Sequence, residues 1–357
     1  MLYTICPVRS TTDGVDRFFM WTARAPPPPY PLQNGMTGDH KKAFEIRAKV
    51  WYNRSITHAV GRPREDVKEG GSALKEIIEG AVLTGERALY RKKDAILRDT
   101  VFEDGESPLK HSAHITMEGG AFRWKYPLWY SEDITVTGTT FEEMARAGIW
   151  YTKGITVRGC RYIAPKGFRR CDGVTIEDMQ FPNAAETLWE CRNVTMRGVT
   201  AKGDYLGMGC VGMEIDGLDL DGNYCFDGAR DVHIRDSRLM SKDAFWNSDR
   251  ITAERCEIRG EYLGWNAKHL TLIDCTIESL QGLCYCEDLT LVRCRLAGTT
   301  LAFEFSTVDA DIVGTVDSVK DPLGGIIRAD GIGTLILEPD VVDVTRTRII
   351  LGEERTD

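Results

Sequence analysis

Ile251-Thr-Ala-Glu-Arg-Cys-Glu-Ile-Arg-Gly-Glu-Tyr-Leu-Gly-Trp-Asn-Ala-Lys-His269 runs directly into Leu270-Thr-Leu-Ile-Asp-Cys-Thr-Ile-Glu-Ser-Leu-Gln-Gly-Leu-Cys-Tyr-Cys-Glu-Asp288 and then Leu289-Thr-Leu-Val-Arg-Cys-Arg-Leu296. Laid one on another at a step of 19 residues, the three lines match in type almost position by position. An apolar residue opens each line, threonine follows, cysteine falls sixth (Cys256, Cys275, Cys294), and an apolar residue falls eighth (Ile258, Ile277, Leu296). Apolar and polar positions alternate, which is the period of a strand and not of a helix.

Outward from this stretch the same opening recurs at Ile77, Ile96, Ile115, Ile134, Ile155, Val174, Val194, Met213, Val232, Ile251, Leu270, Leu289 and Val308. Ten of the twelve intervals are 19 residues; the others are 21 (Ile134 to Ile155) and 20 (Val174 to Val194). Threonine follows the opening residue in eight of the thirteen units, as suits the outer face of a strand. A third apolar position recurs near the thirteenth residue after it: Leu128, Ile149, Phe168, Leu188, Phe226, Phe245 and Leu283. Three short strands and three turns per unit, stacked about 4.8 Å apart, make an all-β, right-handed parallel β-helix of about thirteen coils, roughly 60 Å long. Turn residues such as Asp133, Asn193, Asp231 and Asp288 stand just before the opening position.

Residues 1–73 lie outside the period and contain Ala25-Pro-Pro-Pro-Pro-Tyr-Pro31. Such a tract stays extended and does not pack, so a largely disordered leader, or a gene-start artefact, is expected there, with a weak helix near 40–52. The β-helix is expected over 74–325, and cap strands with a tail over 326–357.

The formal net charge is −9 and no basic stripe occurs, which argues against a nucleic-acid partner. No apolar run reaches the length of a membrane span, and the first residues lack the core of a signal peptide. Cysteines at structural positions, in the row Cys160, Cys256, Cys275 and Cys294 and the row Cys171, Cys191, Cys210 and Cys286, read as small core fillers and not as a disulfide framework. Together these point to a reduced, cytoplasmic protein. The six histidines have no metal-ligand spacing, and no nucleophile elbow, P-loop or dinucleotide fingerprint is present, so neither metal nor cofactor is expected.

The third strand and the turn before it carry the residues that suggest chemistry. Trp129, Trp150, Trp189, Trp246 and Trp265, five of the eight tryptophans, share one repeat position, which Arg169 and Asp227 occupy in neighbouring coils. Charged groups in that column would be costly inside a narrow coil, so the column is expected to face outward. An exposed aromatic row flanked by charge suits an oligosaccharide, with Trp129, Trp150, Arg169, Arg170, Trp189, Tyr205, Trp246 and Trp265 as binding residues. Glu186, Asp204, Asp227, Asp243 and Glu261, from five successive coils, are the catalytic candidates. Two carboxylates serve hydrolysis, whereas elimination would call on Arg169, Arg170 or Lys242 as base. A glycoside hydrolase or lyase is the first reading; a non-catalytic sugar- or protein-binding scaffold is the second. An internal aromatic stack and a set of merely solvated turn acids are the plain alternatives.

Lys125-Tyr-Pro-Leu-Trp-Tyr130, Arg146-Ala-Gly-Ile-Trp-Tyr151, Lys202-Gly-Asp-Tyr-Leu-Gly-Met208, Ser241-Lys-Asp-Ala-Phe-Trp-Asn247 and Gly260-Glu-Tyr-Leu-Gly-Trp-Asn266 resemble a bacterial family known only as domain of unknown function 3737, of the pectate-lyase-like β-helix superfamily. The resemblance spans Glu76 to about Asp330. It implies the fold and no activity. The tight aspartate constellation of polygalacturonases and the calcium cluster of pectate lyases are both missing from this sequence.

Overall fold

The computed structural model describes residues 75–352. The expected leader and the helix near 40–52 lie outside them. Fifteen first-side strands, from Glu76–Glu79 to Thr347–Leu351, stack in parallel as one continuous ladder. The chain is a right-handed parallel β-helix with a repeat near 19 residues. Two strands beyond Val308, Gly324–Ala329 and Thr347–Leu351, extend the thirteen openings read from sequence. No described helix is long and apolar enough to cross a membrane.

Ile134, Ile155, Val174, Val194, Met213, Val232 and Ile251 pair successively and are all buried. The register differs at the first two openings. Ala95, and not Ile96, pairs with Ile115, so Ala95 and Leu97 point inward while Ile96 stands opposite Thr116 on the outer face. Ile77 pairs with Ile96 and is outward too. One additional residue between Phe102 and Ser107 causes the shift, since Val101 and Phe102 pair with Ala121 and Phe122. A slip of one residue exchanges the two faces of a strand. The longer intervals elsewhere have the same origin. Phe141 pairs with Tyr162 and Phe122 with Phe141, so the insertion before Ile155 falls within 142–146. The insertion before Val194 falls between Phe181 and Glu186. All three insertions enter the turn leading into the third side, where they leave the stacked columns intact.

Inside the rod, Phe102, Phe122, Phe141, Tyr162 and Phe181 stack with centroids 5.0, 5.0, 4.5 and 5.8 Å apart. The cysteine rows fall at inner corners. Cys171, Cys210 and Cys286 donate their thiols to Ile149, Leu188 and Gly264 carbonyls of the preceding coil at 3.1, 2.9 and 3.1 Å. Ser131, Thr152 and Ser306 do the same with hydroxyls. The column therefore takes any small side chain able to satisfy a buried carbonyl. All ten cysteines within 75–352 are free and buried. Burial pushes the Cys225 and Cys286 thiols up to about 12, which makes them poor nucleophiles.

Candidate functional site: a break in an aromatic column

Each coil turns into and out of the third side through residues of positive φ, as at Lys166 and Arg170, Glu186 and Glu190, Tyr224 and Gly228, and Asp243 and Asn247. The side between is a regular strand only at Ile149–Trp150 and Phe168–Arg169, with a bridge from Arg169 to Trp189. From Leu188 onward the middle residue is left-handed as well, at Phe226 and Phe245, so the expected third strand becomes a chain of turns. In and out still alternate. Leu188, Phe226 and Phe245 are buried, while Trp189, Asp227 and Trp246 beside them are half-exposed. The tryptophan column thus lies on the outer surface, and the inner aromatic stack belongs to the second side.

Along its first half the column is closed. Trp129 and Trp150 stack at 5.2 Å with planes 6° apart. Arg169, from the next coil, lies 4.6 Å from the Trp150 ring and 4.3 Å from Trp189. Lys110 covers Trp129 at 5.6 Å on the side of the preceding coil. The indole N–H groups of Trp129, Trp150 and Trp189 each donate to a carbonyl of the following coil, those of Ala147, Lys166 and Tyr205 at 2.5, 3.1 and 2.9 Å. Ring faces and N–H groups are both engaged there, so Trp129 and Trp150 offer solvent chiefly their edges. A second row runs alongside, His111–Tyr130–Tyr151, at 5.2 and 4.8 Å. It ends in Arg170, which is paired with Glu190 at 2.5 Å.

Two coils later the column breaks. Between Trp189 and Trp246 its places are taken by Met208 and Asp227, and the adjoining row carries Gly209 and Gly228 instead of Glu190 and Asn247. A Cβ on Gly228 would meet nothing within 4 Å. Beneath, Gly207 makes room for the Phe226 ring, which a Cβ would approach to 2.6 Å. The outcome is a two-coil notch in the tryptophan row, bridged by tyrosine rings: Trp189 meets Tyr205 edge-on at 6.3 Å, and Tyr224 stacks on Trp246 at 6.4 Å. On one flank Tyr205 and Tyr224 stack at 4.8 Å, 9° apart. Among the described residues no hydrogen bond fixes the Trp246 or Trp265 indole N–H. Two concavities of about 560 and 330 Å³ lie elsewhere, one lined by Asp219, Asp236, Arg238 and Arg255, the other by residues around Thr307 and Arg346. The first is crossed by the Arg255–Asp236 and Arg238–Asp219 ion pairs, at 2.8 and 2.9 Å.

Four of the five acids predicted from sequence gather about the notch. Burial raises the Tyr205 hydroxyl pKa, with further contributions from Asp204, Asp227, Asp243 and Glu186 in that order. The acids differ in state. Glu186 is held by Lys166 at 2.9 Å and by Arg169 at 3.2 Å. Asp204 accepts the Asn223 backbone N–H at 2.8 Å, a turn role. Burial raises Asp227, which accepts from the Asn247 amide at 3.3 Å. Asp243 is 5% exposed, and burial, together with Glu261 and Asp227, pushes it up to about 6 although Lys242 and the Tyr224 hydroxyl act the other way. Glu261 stands one coil further and pairs with Lys242 at 3.1 Å. Trp265 lies beyond the notch, against Tyr285 at 4.7 Å. Tyr224 and the glycine gap escaped the sequence reading, though Gly209 and Gly228 falling one repeat apart beside Met208 and Asp227 was a visible signal.

A β-helix bearing a periodic aromatic and acidic outer column is the class of protein that fold and site define. The chain belongs to the family described as protein of unknown function (DUF3737), whose model matches residues 76–350. No curated protein matches the sequence. Among solved structures, a tailspike protein mutant of E. coli bacteriophage HK620 in complex with pentasaccharide is 12% identical with a TM-score of 0.35, covering 73% of this chain and 72% of that one. The Streptococcus pneumoniae surface adhesin PfbA is 8% identical (TM-score 0.28, covering 77% and 83%). The A-module of the Azotobacter vinelandii mannuronan C-5 epimerase AlgE4 is 11% identical (TM-score 0.26, covering 77% and 88%). Likeness at this level carries no argument about activity.

Proposed function

We propose that the notch between Trp189 and Trp246 binds an oligosaccharide and hydrolyses it, with Asp243 as general acid. The observation that carries this reading is the break itself, where the tryptophan row gives way to the stacked Tyr205 and Tyr224 beside two carboxylates that burial raises. Sugars stack apolar faces on aromatic rings and bond their hydroxyls to acids, and a rigid, preformed site suits them. A carboxyl near pH 6 is half-protonated where a leaving-group oxygen needs a proton. Asp227, also raised but lacking the Tyr224 hydroxyl, is the partner carboxylate. Hydrolysis is favoured over elimination because Lys166, Arg169, Arg170 and Lys242 are all tied to glutamates and none is free as a base.

The test is a panel of purified oligosaccharides scored by tryptophan fluorescence and by release of reducing ends. Trp246→Ala should weaken binding about tenfold or more, and Asp243→Asn should abolish release while binding persists. Binding without release in the parent protein supports the scaffold reading; absence of both defeats the proposal.

A further inference from the structure

Among the described residues the rod ends, at both extremities, in a coil whose strands are paired on one face only. Glu76–Glu79 and Val82–Leu83 bond to the second coil alone, and Gly331–Ile336 and Thr347–Leu351 bond only to strands that precede them. The core columns run out to both ends. Ile78, Leu83 and Leu89 stand over the buried Leu97, Phe102 and Leu109 but are themselves only half-buried. At the far end Leu335 and Leu351 continue the columns of the buried Val319 and Ala329, and are 44% and 43% exposed. Such a surface, apolar at its centre and edged by unpaired strands, fits another coil, which is the contact made at each step along the rod.

The two ends also differ in charge. On the third side of the first coil, residues 85–93 carry Arg87, Arg91, Lys92 and Lys93 against Glu86. Arg87 and Arg91 lie over the Tyr90 ring at 5.4 and 5.3 Å, and neither pairs with a carboxylate among the described residues. On the third side of the last coil, residues 337–343 carry Glu338, Asp340 and Asp343 and no base. Backbone hydrogen bonds followed coil by coil show that Arg91 opens, and Glu338 closes, the same outer row. From this match of edges, core columns and charge, we infer that the first coil of one copy stacks on the last coil of a second copy, head to tail. Arg91 then stands one coil step, about 4.8 Å, from Glu338 of the neighbouring copy. Like ends repel, so charge selects which ends meet. Unlike ends of a straight stack do not close into a ring, and the product is a linear chain of copies.

Sedimentation velocity of the purified full chain, from about 1 to about 100 µM at low salt, tests this, because an interface of exposed charges weakens as salt rises. Dimers, trimers and longer species should grow with concentration, and association should fall at least tenfold in roughly 0.5 M salt. The charge-reversed variants Arg87→Glu/Arg91→Glu and Glu338→Lys/Asp340→Lys should each stay monomeric with an unchanged melting temperature. An equimolar mixture of the two should associate again, since each reversed end now meets its opposite. The milder Arg91→Gln and Glu338→Gln, which leave the coil intact, should each weaken association several-fold. A parent chain that is monomeric throughout overturns the inference and means that the ends are occupied otherwise, by the chain's own residues outside 75–352 or by a different protein. A dimer that only one of the charge-reversed variants dissociates means that two like ends meet, and a mixture of folded variants that does not reassociate removes the charge pairing; either result also overturns it.

Discussion

Between Trp129 and Trp189 the outer column is filled, with each ring face against a ring or a cation and each indole N–H bonded to the next coil. Between Trp189 and Trp246 the same stack of coils carries methionine, aspartate and two glycines. The two regions share the coil stack but differ in side chains and in the backbone of the third side, whose middle residue is left-handed from Leu188 onward. The closed half shows what the column looks like when it serves packing alone, and the open half is therefore the place to look for a ligand.

The comparison breaks most completely if the inner wall fails. Phe245 lies buried beneath the open region, as Ile149 does beneath the closed one. Phe245→Ala should cost about 3–5 kcal/mol in denaturant unfolding, the usual result of emptying a packed aromatic site. A loss below 1 kcal/mol would mean that the coil under the notch is not packed as described.

Opening the closed half is the next largest test. Arg169→Ala removes a cation from between two indoles and leaves Glu186 with Lys166 alone. The expected loss is about 1–3 kcal/mol, with a change in the near-ultraviolet circular dichroism of the tryptophans. An unchanged spectrum would show that the stack does not persist in solution.

Asp243 sharpens the comparison through pH. Its pKa is raised on folding, so the folded protein holds that proton more tightly than the unfolded chain, and stability from this group falls as pH rises from about 4 to about 6. Asp243→Asn should therefore stabilise the protein at pH 8, by about 1–2 kcal/mol, and do nothing near pH 4. Destabilisation at pH 8 would mean that Lys242 outweighs burial at Asp243 and would undo its assignment as the acid.

The smallest effect on stability comes from filling the gap. Gly228 has φ 64° and open space before it, and asparagine holds the equivalent place at Asn247 and Asn266. Gly228→Asn should shift stability by less than about 0.5 kcal/mol, because asparagine tolerates this conformation, while lowering oligosaccharide affinity several-fold. Undiminished binding would put the ligand elsewhere.

Much of this molecule was legible in its sequence. The 19-residue step from Ile251 to Leu289 specifies the parallel stack, because each coil can bury its inner face only against its neighbours. The outward direction of the tryptophan column followed from Arg169 and Asp227 sharing it, since neither charge belongs in a dry interior. The register of Ile77 and Ile96 was not legible, as a residue inserted in a turn leaves the hydrophobic spacing plausible in either frame. Only the tertiary structure decided which rings cover one another, which cations are committed to which glutamates, and that Asp227 and Asp243 take neutral hydrogen-bond donors, Asn247 and Tyr224. Periodicity assigns a side chain to a column and a face. Its neighbours across the coils depend on rotamers, left-handed turns and absent Cβ atoms, and these take definite values only when one coil lies on the next.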